Sequence, residues 1–188
     1  MKLSQSINMK EILANSLYLL MKDKTFDKIT IKQIADKAGV IRGTFYNHFY
    51  DKYEALDYLV RMILFKEEIT PNTRTEYMDL LSSIFKTIKD EEDFFSECFK
   101  ITGQNGFDSI LNNIFKDILR DYFRKSNLDS KLIGLKEEFV LDYLSKDILF
   151  QLNYWNDNNY VFSADEMSEL FKKLYVHSTR ELIGQMRN

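Results

Sequence analysis

Residues 29–49 read Ile-Thr-Ile-Lys-Gln-Ile-Ala-Asp-Lys-Ala-Gly-Val-Ile-Arg-Gly-Thr-Phe-Tyr-Asn-His-Phe, and this stretch decides the fold. Thr30 followed three positions on by Gln33 spells a capping box, in which the hydroxyl satisfies an orphan amide and the Gln side chain reaches back to the cap. Ile29 and Ile34 occupy the two staple positions that fix how the chain enters a helix. Ile31, Ile34, Ala35 and Ala38 fall at i, i+3, i+4 and i+7, one apolar face. Ala35 is small, as a close helix crossing needs, and Gly39 supplies the left-handed residue that ends the helix. The spacing predicts a short helix, a tight turn and a second helix whose Phe45 and Phe49 point inward. That leaves Arg42, Gly43, Thr44, Tyr46, Asn47 and His48 on or near the other face.

Those outward residues are chemically suited to duplex DNA. Arg42 can pair with a guanine edge, Asn47 with adenine, and the Thr44 methyl can touch a thymine methyl. Gly43 has no side chain, so backbone there can approach a ligand closely. Asp51 with Glu54 forms another cap pattern, opening a helix at Lys52, and a helix N-terminus carrying a lysine suits a phosphate. Tyr46, His48 and Lys52 are candidates for the DNA backbone, and Arg42, Thr44 and Asn47 for base edges. Thr30 can serve as cap and phosphate contact together. For Arg42, Thr44 and Asn47 the competing reading is an ordinary solvated helix face.

The surrounding helices follow from periodicity. Ile12, Leu13, Ser16, Leu17 and Leu20 make a helical stripe before the motif. After it, apolar residues recur at helical spacing in 76–89, 91–101, 107–124, 132–155 and 164–186, the last opened by Ser163 with Glu166. The third of these stretches is apolar enough to be buried on more than one side. The only proline, Pro71, lies among Thr70, Asn72 and Thr73 and marks the expected boundary. The expectation is an all-α protein of about nine helices, with a three-helix N-terminal domain over 1–66 and a helical C-terminal domain over 67–188.

Composition narrows the function classes. Hydrophobic residues make up 45% of the 188, enough for a sizeable core, and the net charge is -3. That charge is unevenly spread: residues 1–66 carry eleven Lys and Arg against seven Asp and Glu, whereas the rest carries fifteen against twenty-two. A basic head on an acidic body suits one module facing phosphates. Cys98 is the single cysteine, so no intrachain disulfide or thiolate cluster forms, in keeping with a reducing compartment. It sits among Phe94, Phe95 and Phe99 and reads as a small buried hydrophobe. Trp155 reads equally as core or as the wall of a pocket or interface. His177 has no second histidine or close cysteine beside it, so a packing role outweighs metal ligation. The N-terminus lacks a signal-peptide core, and no apolar run reaches membrane-spanning length. No nucleophile and base pairing, phosphate loop or metal-ligand spacing is present, so no catalytic residue, metal or cofactor is expected.

The run from Ile29 to Lys52 resembles the TetR/AcrR repressors, in which an initial helix precedes Ile-Thr-Ile, Ile-Ala, Ala-Gly-Val, Gly-Thr-Phe-Tyr, His-Phe and Lys in this order. The resemblance is specific over roughly residues 9 to 65. Position 41 departs from it: such proteins usually carry a small polar cap there, and Ile41 can neither cap nor bind phosphate by hydrogen bond. The resemblance implies a cytoplasmic homodimer on a palindromic operator of double-stranded DNA, with the last two long helices pairing across a two-fold axis. Met167, Leu170, Phe171, Leu174 and Ser178 form the seam expected there. It also implies a small-molecule effector whose binding residues the sequence does not name. The alternative is a DNA-binding regulator whose C-terminal domain only dimerises or binds protein.

Overall fold

The computed structural model describes residues 8–65, 74–125 and 136–176. Pro71, the 66/67 boundary, His177 and Ser178 lie outside the described residues. Among the described residues every regular element is helical: α1 (Met9–Met21), a 3-10 turn (Phe26–Lys28), α2 (Ile31–Lys37), α3 (Arg42–Tyr46), α4 (Lys52–Leu64), α5 (Arg74–Asp90), α6 (Glu92–Phe99), α7 (Phe107–Lys125), α8 (Glu137–Asp157) and α9 (Ala164–Val176). This is the all-α architecture the periodicity predicts.

The chain divides into two compact units, Met1–Lys66 with Asp93–Ile110, and Glu67–Glu92 with Leu111–Asn188. In the first unit α1 packs on α2 and α4, and α2 on α3. Leu13 and Leu17 of α1, Ile34 of α2, Phe45 of α3 and Leu56 of α4 are all fully buried. Ala35 is buried too, as its small size anticipates. The α6 segment belongs to the same unit: the Phe94 ring lies 5.2 Å from Tyr18, and Phe99 lies 5.0 Å edge-on from Phe107. Cys98 is completely buried, and burial pushes its thiol well above the ordinary range.

In the second unit α5 packs against α9. Phe85 of α5 meets Phe171 at 5.9 Å and Trp155 at 6.0 Å. Trp155 is core: it is completely buried, and its indole Nε1 donates to the Phe162 carbonyl at 2.9 Å. The Ser163–Glu166 capping box that opens α9 is present, with the Glu166 amide donating to Ser163 Oγ at 3.2 Å and the Ser163 amide donating to the Glu166 carboxylate at 2.8 Å. Helices α7 and α8 are joined by Lys116 to Asp142 at 2.6 Å and by Ser145 to Asn112 at 3.0 Å.

Two helix faces of this unit turn outward. On α9, Met167 and Phe171 turn into the core at 1% and 2% exposure, while Leu170 and Leu174 turn outward at 37% and 42%. On α8, Phe139, Tyr143, Phe150 and Tyr154 are all exposed. Their spacings of four, seven and four residues place them on one stripe of the helix.

Candidate nucleic-acid interface

The helix-turn-helix forms as its local chemistry dictates. Gln33 N donates to Thr30 Oγ1 at 3.2 Å and Thr30 N donates to Gln33 Oε1 at 2.9 Å, completing the capping box. At the other end of α2, Gly39 takes φ +72° and Val40 N donates to the Ala35 carbonyl at 3.0 Å. A residue with a Cβ is disfavoured in that conformation, which is why the turn requires glycine.

Helix α3 spans only five residues, too few to hold itself by backbone bonds. Its anchors are Phe45 and Phe49, both completely buried with ring centroids 5.6 Å apart. Burying one such ring is worth roughly 1.5–3 kcal/mol. Tertiary packing, and not propensity, therefore sets the orientation of α3. Its first turn has no side-chain cap, because Ile41 stands at the cap position.

With the phenylalanines turned in, Arg42, Gly43, Tyr46 and Asn47 are exposed, and Thr44 and His48 are half-buried at the edges of that face. Arg42 and Tyr46 act as a pair: the guanidinium Nη2 donates to the Tyr46 hydroxyl at 2.7 Å, and the guanidinium Cζ lies 5.3 Å from the ring centroid. An arginine held this way has fewer orientations to lose when it meets a base edge. Thr30 is exposed at the start of α2.

Lys52 is placed differently from the other candidates. Its ammonium donates to the carbonyls of Phe26 (2.9 Å), Asp27 (3.2 Å) and Ile29 (3.1 Å), and sits 4.5 Å from the Phe26 ring centroid. An ammonium has three N–H donors, and these three carbonyls engage all of them. Burial lowers the pKa of Lys52 from the ordinary lysine value, with Asp27 opposing the shift. The lysine thus ties the start of α4 to the 3-10 turn ahead of α2. Asp51 caps α4, accepting from Tyr53 N at 2.8 Å and Glu54 N at 2.9 Å.

Tyr50, which the sequence reading passed over, is 85% exposed beside Asp51. The available signal was its spacing, four residues after Tyr46. The ammonium of Lys10 of α1 lies 5.3 Å from both the Phe49 and Tyr58 ring centroids.

Among the described residues there is no cluster of His, Cys, Asp and Glu that could hold a metal, and no helix long and apolar enough to cross a membrane.

Comparison with known proteins agrees in both parts of the chain. Residues 19–59 match the family model described as bacterial regulatory proteins, tetR family. Residues 75–176 match the model described as transcriptional regulator C-terminal region. A comparison with curated protein sequences returns no match. Among solved structures, the dihydroxyacetone kinase operon activator DhaS is similar at TM-score 0.59 and 16% identity, over 97% of this chain and 98% of its own. The fatty acid degradation regulator FadR from Bacillus halodurans is similar at TM-score 0.57 and 14% identity, over 96% and 99%. NalD, the secondary repressor of the MexAB-OprM multidrug efflux pump in Pseudomonas aeruginosa, is similar at TM-score 0.56 and 15% identity, over 89% and 93%. At these identities the likeness establishes a shared fold.

Proposed function

The chain belongs to the TetR family of bacterial transcriptional regulators, DNA-binding proteins and not enzymes, and on that premise we propose that it is a cytoplasmic homodimeric repressor released from a palindromic operator by a small molecule. Residues 1–66 serve as the DNA-binding domain and 67–188 as the effector-binding and dimerisation domain. The observation that carries this reading is the face of α3, where Arg42, braced by Tyr46, stands exposed beside Asn47 on a helix locked by two buried phenylalanines. Two copies set each α3 in the major groove at half-sites about one helical turn apart or somewhat more.

In this reading Arg42, Thr44 and Asn47 meet base edges. Thr30, Gly43, Tyr46 and His48 meet the sugar-phosphate backbone. Lys52 contributes chiefly by fixing the α4 start against the turn before α2, with its charge close to the backbone. The dimer seam consists of the outward stripe of α8 with Leu170 and Leu174 of α9. Four exposed aromatics on one helix are costly in water, and a second copy of the same stripe covers them isologously. The effector acts by binding more tightly to the state whose two α3 helices are misplaced for the operator.

The test is selection of duplexes from a random pool by the purified protein, followed by titration with salt. The expected result is an inverted repeat whose affinity falls steeply with ionic strength, and repression of a promoter that carries it. Enrichment of no sequence would overturn the reading.

A further inference from the structure

Among the described residues of the DNA-binding unit, Ile41 is the most exposed aliphatic side chain, 77% accessible, immediately before Arg42. Its Cδ1 lies 3.8 Å from where a Cβ on Gly43 would stand, so the bare backbone at Gly43 leaves the isoleucine uncovered. The position carries two costs with no return inside the protein: an apolar side chain in water, and a helix start without a side-chain cap. Both costs fall on the edge of the face that bears Arg42 and Asn47.

We propose that Ile41 is a specificity-determining residue that reads a thymine through its C5-methyl group, once in each half-site. The inference rests on the DNA-binding reading above. The major-groove edges of the four bases display hydrogen-bond donors and acceptors and a single apolar group, the thymine methyl. An aliphatic side chain that can donate and accept nothing has that one matched target there. A polar residue at the same position would satisfy the helix start and meet phosphate, which carries no sequence information. Isoleucine exchanges that uniform contact for a sequence-dependent one. Gly43 is part of the device, because a side chain there would stand in van der Waals contact with Cδ1 and cover part of the reading surface.

The experiment deletes the methyl and nothing else. Duplexes selected from a random pool by the full-length protein are synthesised with each thymine in turn replaced by uracil, and binding is measured for the wild type, Ile41→Ser and Arg42→Ala. For the wild type, one position per half-site is expected to lose about fourfold in affinity, the worth of one methyl removed from water. Substitution in both half-sites together loses about fifteenfold by the same measure. Ile41→Ser, which restores a capping side chain and so keeps the helix, is insensitive at that position. Arg42→Ala binds more weakly but keeps the uracil effect there. A flat uracil scan in the wild type, or an equal loss in Ile41→Ser, overturns the inference and leaves the regulator reading standing. Failure to enrich any duplex overturns both. Binding of a protein partner that competes at Ile41 while the scan stays flat assigns the residue to that partner instead.

Discussion

The ammonium of Lys52 donates to the Phe26 carbonyl at 2.9 Å across 26 positions of sequence, tying the first residue of α4 to the turn before α2. Together with the Asp27 and Ile29 carbonyls it gathers the turn before α2 onto the first residue of α4. Lys52→Ala is therefore expected to lose stability as well as operator affinity, by about 1–3 kcal/mol, since three carbonyls lose a charged donor. Denaturant unfolding with and without operator DNA separates the two losses. Unchanged stability would mean that the ammonium serves DNA alone.

Tyr46→Phe deletes the hydroxyl that braces Arg42 and leaves the ring beneath the guanidinium. The fold stays intact, because Tyr46 is exposed. Discrimination at the base that Arg42 reads should weaken, while Arg42→Ala should lose about 1–3 kcal/mol of discrimination at that base. Competition binding against duplexes changed one base pair at a time gives both values. If Tyr46→Phe alters no position selectively, the Arg42–Tyr46 bond has no role in reading.

Much of this site was legible in the sequence because its signals are local. The capping box of Thr30 and Gln33, the positive φ of Gly39 and the inward pair Phe45 and Phe49 all follow from spacings of a few residues. Lys52 was not legible, since the carbonyls it binds lie 23 to 26 positions earlier. The outward surface of the second unit was only half legible. Periodicity marks an apolar face without saying whether it meets the protomer's own core or a partner. Met167 and Phe171 of the expected seam turn inward, and Leu170 and Leu174 outward. The outward aromatics of α8 give no distinct signal in the sequence because that helix is apolar on its core side as well, with Leu141, Ile148, Leu152 and Trp155 buried.

Phe150, 69% exposed at the middle of the α8 stripe, gives the direct test of the seam. Phe150→Glu should leave helix content unchanged and convert a dimer to a monomer in sedimentation, because two carboxylates would face each other across the two-fold axis. Operator affinity should fall with it. A variant that remains dimeric places the seam elsewhere.

Two glycines should respond to alanine for different reasons. At Gly39 an added Cβ meets nothing within 4 Å, so Gly39→Ala bears only the left-handed backbone cost, about 1–2 kcal/mol. At Gly106 the same Cβ would stand 2.7 Å from the Ile101 carbonyl and 2.9 Å from that of Gly103. Those atoms are backbone, the Ile101 carbonyl accepting from the Phe107 amide at 2.8 Å and the Gly103 carbonyl from the Gly106 amide at 3.0 Å, and cannot move aside cheaply. Thermal unfolding should rank Gly106→Ala as the more damaging of the two. The opposite ranking would show that the α6–α7 turn yields easily.

Asp147 of α8 is half-buried and accepts from Gln151 Nε2 at 3.2 Å, while Gln151 Oε1 is buried without a hydrogen-bond partner among the described residues. Burial raises the Asp147 pKa above the ordinary carboxylate value, and the bond from Gln151 opposes the shift. A carboxyl whose pKa is higher folded than unfolded binds its proton more tightly in the fold. Its favourable contribution is present below the unfolded pKa and is lost as pH rises through the raised folded value. Asp147→Asn keeps an acceptor for Gln151 and cannot ionise. The variant should unfold at a higher temperature than wild type near neutral pH, with the gap closing as pH falls toward about 4. A gap that stays constant from acid to neutral pH would show that the carboxylate is not penalised by its surroundings.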